Sequence, residues 1–496
     1  MLFNSYEFIF AFLPVTLIGF FLLAHFAGKL VAAIWLTCAS LVFYGWWDPR
    51  YLALLLVSIT VNYAIGLRIA RLRVRQPRGA KHWLVGGLVF DLGVLAYFKY
   101  TGFLWLNFEA LTGIGGQTPD IALPLGISFF TFTQIAFLVD AYLGIAKEYR
   151  PVNYALFVTY FPHLIAGPVL HHKEMMPQFG HESVYRFDWT NFAVGLTLFA
   201  IGLAKKTLLA DGMAPYVAPA FDAAAAGQPQ GALPSWGGAL AYTFQLYFDF
   251  SGYTDMALGL SMMIGIRLPL NFNSPYKATS IIDFWRRWHI TLSRFLRDYL
   301  YIPLGGSRHG TPRRYVNLMT TMVLGGLWHG ASWTFVAWGG LHGLFLLVNH
   351  AWRASGIGPI IAAAFPRPLR VAAAVGLTFG LTVVAWVFFR ASDFASAWML
   401  LKGMAGLHGA GLEAAGPMRG QINRTVLCLL VVWACPNSQQ ILARFRPALE
   451  MSADVALPQR WWMWRPNTAW ILFIAVLTAG SVLSLSEISP FIYFNF

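Results

Sequence analysis

The sequence GGLWHGASW, residues 325–333, places a histidine, His329, in the middle of an otherwise apolar region. The flanking stretches RRYVNLMTTMVL (313–324) and TFVAWGGLHGLFLLV (334–348) have the composition of helices that sit in lipid. A charged group inside a membrane segment costs about 2.5–3.5 kcal/mol on insertion scales, so an ionisable residue there is a functional candidate. The motif therefore predicts a pair of membrane helices with a candidate reactive group in its middle.

The composition of the whole chain gives the fold class. Of its 496 residues, 57% are hydrophobic and only 11% are charged, whereas soluble chains are charged at about a quarter of their residues. Apolar runs of roughly 17–25 residues recur from end to end, and each is long enough to cross about 30 Å of hydrocarbon. The period-two alternation of a β-barrel is not seen. These features predict an all-α, polytopic integral membrane protein with about eleven transmembrane helices in a single domain, residues 1–496.

The net charge of +14 is concentrated in two loops rather than spread over the surface, so it does not indicate a nucleic-acid partner. One basic loop covers residues 68–81, and another, 286–314, holds seven arginines and one acid. Positively charged loops remain in the cytoplasm. If residues 6–27, 30–47 and 50–66 each cross once, the first basic loop is cytoplasmic and the N-terminus is on the opposite side.

Two kinds of interruption separate the apolar runs. The small and polar stretches 211–235 and 405–421 are predicted to be connecting loops. The segment YFPHLIAGPVLHHKEMMPQF (160–179) is different, because its prolines and glycine break a helix at membrane depth. Such backbone is tolerated only where protein or water surrounds it. Both a wet helix end and a cavity lining are compatible with this segment.

The segment SIIDFWRRWHITLSRFLRDYLYIPLGG (280–306) is predicted to form one amphipathic helix that lies at the cytoplasmic interface in contact with lipid. Ser280 followed by Asp283 is a plausible N-cap. The predicted apolar side holds Trp285, Trp288, Leu292, Phe295, Leu296, Tyr299 and Leu300. The predicted basic face holds Arg286, Arg287, Arg294 and Arg297. His289 falls on the apolar side, which is unusual for a solvated histidine.

The ionisable residues inside the apolar segments are Asp249, Asp255, His289, His329 and His342. Asp249 and Asp255 are six residues apart, about 240° around a helix, so they do not form a paired acid and base. Hydrogen-bonded packing between helices is an alternative role for these two aspartates.

The surroundings of His329 are compatible with either packing or function. Glycines on both sides leave room for a long, thin ligand, and Trp328 and Trp333 offer flat apolar walls. A neutral histidine in such a site is a potential base near pH 7. The chain has no HExxH, GxSxG or GxxxxGK[ST] motif, so we expect neither a metal site nor a covalent intermediate on a serine.

Four segments together resemble the membrane-bound O-acyltransferase (MBOAT) superfamily, in particular its bacterial branch of the alginate and exopolysaccharide O-acetyltransferase type. They are YFDFSGYTDMALG (247–259), the 271–306 segment, GGLWHGASW and the terminal PFIYFNF (490–496). The resemblance extends over nearly the whole chain. It implies a set of helices around a central tunnel, with 236–350 as the catalytic core segment.

The resemblance also implies the chemistry. A histidine in a WHG-type motif is the essential residue of the family and corresponds to His329, and the second catalytic position corresponds to His289. The expected donor is acetyl-CoA or a carrier-bound acyl group, with no bound cofactor. The expected partner is a periplasmic protein of the SGNH-hydrolase type, and the expected location is the bacterial inner membrane with a periplasmic N-terminus.

Physical arguments give each candidate residue an expected role. We expect His329 to act as the general base and His289 to orient the donor or stabilise charge. The basic face at Arg286, Arg287, Arg294 and Arg297 is suited to donor phosphates or to anionic lipid. We expect donor or substrate binding also from Trp328, Trp333, Asp249 and Asp255.

The sequence is also compatible with two other functions. One is an enzyme of the same fold that transfers acetate to peptidoglycan or D-alanine to teichoic acid. Another class is a transporter that moves an acyl group or glycan without transferring it, although no inverted repeat is visible.

Overall fold

The computed structural model describes residues 1–146, 149–357, 364–449, 460–485 and 491–492. The regular elements of these residues are helices, apart from one isolated bridge between Leu268 and Ala448, which confirms the all-α prediction. The α-helices are α1 Leu13–Phe26, α2 Lys29–Gly45, α3 Arg50–Arg75, α4 Pro77–Thr112, α5 Ile127–Leu143, α6 Pro151–Thr159, α7 Phe161–Leu164, α8 His172–Gly180, α9 Trp189–Ala204, α10 Asp211–Met213, α11 Ala218–Ala225, α12 Ala232–Ile264, α13 Ile281–Trp285, α14 Ile290–Leu296, α15 Gly310–His329, α16 Trp333–Ala354, α17 Arg367–Arg390, α18 Phe394–Met404, α19 Arg419–Ala434, α20 Ser438–Ile441 and α21 Thr468–Leu483. Wider π-helical turns occur at Phe8–Phe12, Lys205–Ala210 and Arg297–Tyr301, and 3₁₀ turns at Glu182–Tyr185, Ala214–Tyr216, Pro275–Lys277, Leu412–Ala415 and Ala443–Phe445.

Several of these helices are suited to lipid, which makes the chain a multi-pass membrane protein. Those long and apolar enough to cross a bilayer are Phe8–Phe26, Arg50–Arg75, Pro77–Thr112, Trp189–Ala225 and Arg367–Arg390. Shorter apolar helices are Lys29–Gly45, Ile127–Leu143 and Thr468–Leu483. The count of eleven crossings and the direction in which the chain enters the membrane stay predictions.

The ends of the long helix α4 follow from its sequence. Pro77 stands at its first turn, where a missing N–H costs nothing. Gly113 ends it with φ of 68°, a left-handed conformation that glycine adopts without strain.

The described residues cluster into two units, and one of them is built mainly from the N-terminal half. The first unit comprises Met1–Leu203, Tyr253–Leu270 and the described part of 442–495. Its core contains an aromatic group formed by Phe3, Phe8, Phe43 and Phe161, with ring centroids 5.0–6.4 Å apart. The helix break predicted within 160–179 is confirmed by the gap between α7 and α8. The histidines there are buried, so protein surrounds the irregular backbone.

The second unit comprises Ala204–Gly252 and the described part of 271–441. Its helices α15 and α16 pack closely through glycines: a Cβ added to Gly326 would overlap the Phe335 carbonyl oxygen, and one added to Gly339 would overlap that of Met322. Close backbone approach of this kind requires small residues at the crossing.

One of the two predictions about connecting loops is corrected. The 211–235 stretch is not a loop, because it contains α10, a 3₁₀ turn, α11 and the start of α12. Its alanines have high helix propensity, and this outweighs the scattered glycines and prolines. The 405–421 stretch fits the loop prediction better, with only the 3₁₀ turn before α19 begins.

Candidate active site

The 280–306 segment is not one helix, and its break determines where His289 lies. Helix α13 ends at Trp285 and α14 begins at Ile290, while His289 itself has φ of 42°. A left-handed histidine is uncommon, and such strain persists only where the surroundings hold it. The predicted continuous amphipathic helix is therefore wrong, because tertiary contacts outweigh its helical periodicity.

The division of that segment into buried and exposed sides nevertheless holds. Trp288, Leu292 and Phe295 are buried, whereas Arg286 and Arg297 are exposed. The N-cap is confirmed as well, since the Ser280 hydroxyl accepts a hydrogen bond from the Asp283 backbone at 3.1 Å.

His289 is completely buried and is oriented by an asparagine. Its Nδ1 lies 3.0 Å from Asn271 Oδ1, which also accepts hydrogen bonds from the hydroxyl (2.9 Å) and the backbone N–H (3.4 Å) of Thr291. Since an amide oxygen only accepts, Nδ1 of His289 carries the proton and Nε2 presents a lone pair. The Ile290 backbone N–H also donates to the Asn271 carbonyl oxygen at 3.0 Å, which fixes the break.

His329 is the last residue of α15 and lies near His289. The centroids of the two imidazoles are 6.4 Å apart, and each ring is also close to Trp328, at 6.2 Å for His289 and 4.8 Å for His329. Trp338 and Phe389 pack edge-on against His329 at 5.1 and 5.2 Å. Two segments 40 residues apart in the chain thus bring two buried histidines together in an aromatic enclosure.

The glycine after His329 is needed for this geometry. Helix α15 ends there because Gly330 has an extended backbone, and an added Cβ would overlap the Phe335 ring. The chain can therefore turn from α15 into α16 within four residues while keeping His329 buried.

A basic cavity of about 640 Å³ lies in the same unit. Arg286, Arg294 and Arg297 of the predicted basic face line it together with Arg314, and their role in docking a donor stays a prediction. Arg297 is hydrogen-bonded to Asp298 at 2.6 Å, and this raises the pKa of its guanidinium, so it stays cationic. Apolar side chains also line the cavity, among them Trp285.

Arg287 does not line this cavity, in contrast to the other three arginines of the predicted basic face. Its Nε donates to Asp283 Oδ1 at 2.9 Å, and its guanidinium reaches the Asn273 carbonyl oxygen at 3.4 Å. Arg287 therefore ties α13 to the preceding segment, and its role in donor binding stays a prediction.

The two aspartates lie in different units. Asp249, buried, forms an ion pair with the equally buried Lys206 at 2.8 Å, and Lys206 pairs with Asp211 at the same distance. Asp255 is buried in the first unit. The roles of both in donor binding stay predictions.

Aromatic residues around the site differ partly from those singled out in the sequence. Trp328 is buried beside both histidines, but Trp333 is 53% exposed at the start of α16. Trp338, five residues later, is the tryptophan of α16 that packs on His329. Trp338 and Asn271 were missed because neither carries an ionisable group. Lys206 could have been found, since a lysine in an apolar run is a functional candidate by the same rule as the aspartates.

The sequence matches the MBOAT, membrane-bound O-acyltransferase family over residues 94–355, a range that includes both histidines and the cavity. The chain belongs to the MBOAT family. It is therefore an acyltransferase of a membrane-embedded fold, and the resemblance predicted from the motifs is confirmed. The terminal PFIYFNF motif falls outside the described residues except for Phe491 and Ile492.

Relatives along the whole chain carry acetyltransferase names. The chain is 40% identical to the peptidoglycan O-acetyltransferase of Helicobacter pylori, over all of this chain and 98% of that protein. It is 41% identical to the probable alginate O-acetylase AlgI of Pseudomonas aeruginosa, over the full length of both. The teichoic acid D-alanyltransferase of Streptococcus thermophilus is 30% identical over 46% of this chain and 57% of that protein.

Proposed function

We propose that this MBOAT member transfers an acetyl group from acetyl-CoA on the cytoplasmic side to a cell-envelope polysaccharide, through a periplasmic partner of the SGNH-hydrolase type. The observation that carries the proposal is the pair of buried histidines, with ring centroids 6.4 Å apart, in a chain of this family. The full-length acetyltransferase relatives support an acetyl group over D-alanine. We place the protein in the bacterial inner membrane, with its N-terminus in the periplasm.

The reaction needs a base and a leaving thiol. The acceptor hydroxyl oxygen attacks the thioester carbonyl carbon, the carbon–sulfur bond breaks, and the hydroxyl proton passes through the base to the thiolate. We assign His329 as this general base. His289, whose tautomer Asn271 sets, presents Nε2 as an acceptor and so orients the bound substrate by accepting a hydrogen bond from a group other than the attacking hydroxyl, whose single proton goes to His329. Because Nε2 carries no proton in this tautomer, His289 does not donate a hydrogen bond to the oxyanion that forms when the hydroxyl adds to the thioester carbonyl.

The basic cavity supplies the donor site. Arg286, Arg294 and Arg314 offer planar guanidinium groups that match phosphate oxygens in pairs. Anionic lipid headgroups are the alternative occupants. Charge reversal separates the two: Arg314→Glu raises the KM for acetyl-CoA if the cavity binds the donor. It leaves that KM unchanged if the cavity binds lipid.

The acceptor polymer is the least constrained part of the proposal. One full-length relative is named for peptidoglycan and another for alginate, at nearly the same identity. We favour an exopolysaccharide acceptor, and peptidoglycan is the alternative that uses the same site and the same acetyl chemistry.

The central test is acetyl transfer by the purified protein in nanodiscs, supplied with labelled acetyl-CoA and an SGNH-type partner. We expect release of free coenzyme A together with label on the partner. His329→Ala should lower this rate by about 10²–10⁴-fold, the usual contribution of a general base. His181→Ala, at an exposed position, is the matched control and should retain the wild-type rate. A wild-type protein that moves the acyl compound across proteoliposomes without cleaving the thioester would instead be a transporter.

A further inference from the structure

A third buried histidine, His342, is not used by the reaction described above. It lies on α16, and its side chain is 0% exposed. Among the residues that the structure describes, neither its Nδ1 nor its Nε2 has a hydrogen-bond partner. Buried polar groups are almost always hydrogen-bonded, so a ring with two unmatched nitrogens indicates a missing ligand.

Two tryptophans beside His342 share this property. The ring centroids of Trp285 and Trp338 lie 5.1 and 4.8 Å from that of His342, and those of the two indoles are 5.9 Å apart. The indole Nε1 atoms of both are buried without a hydrogen-bond partner in the described part of the chain. Together the three rings offer three N–H donors and one imidazole acceptor.

The position of His342 links the basic cavity to His329. Along α16, Trp338, His342, Leu346 and His350 follow one another at four-residue intervals and so share a face. His350 and Leu346 line the cavity, where Arg314 lies 3.0 Å from His350, and Trp338 packs on His329 at the other end. The stripe spans about 18 Å at 1.5 Å per residue.

We propose that His342, with Trp285 and Trp338, binds the amide groups of the pantetheine arm of the thioester donor. An amide presents one carbonyl oxygen and one N–H, which match the single donor and single acceptor of a neutral imidazole. The indole N–H groups bind further carbonyl oxygens of the arm. The inference rests on the proposed function, because it assumes that the phosphates sit at the arginines and the acetyl group reaches His329.

Access to His342 depends on Trp285. Trp285 lines the cavity and contacts His342, which is itself closed to solvent. The arm therefore reaches the imidazole only when the indole of Trp285 moves. His342 is on this account a substrate-binding residue rather than a base.

The test varies the residue and the donor together. His342→Leu removes both hydrogen-bonding atoms, and His342→Gln keeps one donor and one acceptor. The donors are acetyl-CoA, S-acetylpantetheine and the acetyl thioester of a simple alkyl thiol that has no amide. We expect His342→Leu to lower kcat/KM roughly 10- to 100-fold for the two amide-bearing donors, mainly through KM. The simple thioester should react within about twofold of wild type, and His342→Gln should recover most of the loss.

A binding measurement separates this inference from the proposed function. The dissociation constants of coenzyme A and of an acyl carrier protein with its pantetheine arm are measured on the wild type, His342→Leu and Trp285→Phe. Weaker binding of both ligands to the variants supports recognition of the arm. Weaker binding of one ligand only identifies which of the two donors uses it.

Three outcomes would overturn the inference. They are an equal loss with all three thioesters, which indicates a structural role, no loss with any of them, and no binding of either ligand to the wild type. Wild-type protein that binds coenzyme A through His342 but transfers no acetyl group would refute the proposed function and leave the arm site standing.

Discussion

The second unit contains two buried polar clusters with opposite construction. In the first, Lys206 lies between Asp249 and Asp211, with both nitrogen–oxygen distances 2.8 Å, so ion pairs hold the cluster. In the second, His289 and His329 are held by a neutral amide and by aromatic rings. A buried ion pair keeps its protons where they are, because separating its charges is costly. A neutral imidazole can gain a proton and lose it again, so only the second cluster is suited to proton transfer.

The largest expected effect concerns the histidine cluster as a unit. His329→Gln should lower acetyl transfer by about 10²–10⁴-fold, as for loss of a general base, and His289→Gln should lower it by about 10²-fold, as for loss of a positioning group. If the two imidazoles act in the same chemical step, the double variant should be no slower than the slower single variant, because residues that act together are not additive. Initial rates in nanodiscs measure this, with melting temperatures as the control for folding. Multiplied losses in the double variant would mean that the two histidines act independently.

The ion-pair cluster should respond in stability and not in rate. Lys206→Met leaves Asp249 buried without its cation and should lower the free energy of unfolding by about 3–5 kcal/mol. The double variant Lys206→Met/Asp249→Leu should be more stable than the single one, since the fully buried carboxylate is removed with its cation and only the partly exposed carboxylate of Asp211 loses a partner. Denaturant unfolding in detergent gives both values. If Lys206→Met also lowered the transfer rate per folded molecule, the ion-pair cluster would contribute to the reaction, and the distinction between a stabilising cluster and a catalytic one would fail.

These two clusters also show how far the sequence could be interpreted. The all-helical membrane fold follows from composition and apolar run length, because backbone in lipid must satisfy its own hydrogen bonds. His329 and His289 were found by their charge-bearing chemistry in apolar surroundings and by the family resemblance. Their proximity was not predictable from spacing, because it depends on the left-handed turn at His289 that Asn271 fixes.

Other features were hidden for physical reasons. The 280–306 segment has the periodicity of one helix, yet hydrogen bonds to Asn271 and the burial of Trp288 break it. Trp338 and Trp333 are five residues apart with the same side chain, and only packing distinguishes the buried one from the exposed one. Sequence patterns predict which side of a segment is buried more reliably than they predict where it bends.

The orientation of His289 offers a smaller test of the second cluster. Asn271→Leu removes the acceptor that fixes the Nδ1–H tautomer, and we expect transfer to slow about 10- to 100-fold, as for other residues that orient a reactive histidine. Asn271→Asp keeps an acceptor at this place and should slow acetyl transfer less than Asn271→Leu does. Comparing the two variants at saturating donor isolates kcat. Equal losses would show that Asn271 acts through the backbone turn and not through the imidazole.

The smallest expected effect concerns a carboxylate that is satisfied without a cation. Asp393, exposed at the start of α18, accepts a hydrogen bond from the Ser396 backbone N–H at 2.8 Å, and this lowers the pKa of its carboxyl. Its folded pKa therefore lies below the usual value of about 4 for an unfolded chain. The stability from the cap is thus complete above about pH 4 and is lost as the pH falls through the folded pKa.

Asp393→Ala should cost only about 1 kcal/mol, far less than breaking the buried pair at Asp249, although both residues are aspartates. Hydrogen exchange of the α18 backbone amides measures this loss of stability. Asp393→Ser is the control, because serine caps a helix without a titratable group. The serine variant should retain protection and lose the acid dependence. If Asp393→Ala instead destabilised the protein as much as Lys206→Met, burial would not explain why the two substitutions differ in their effect on the free energy of unfolding.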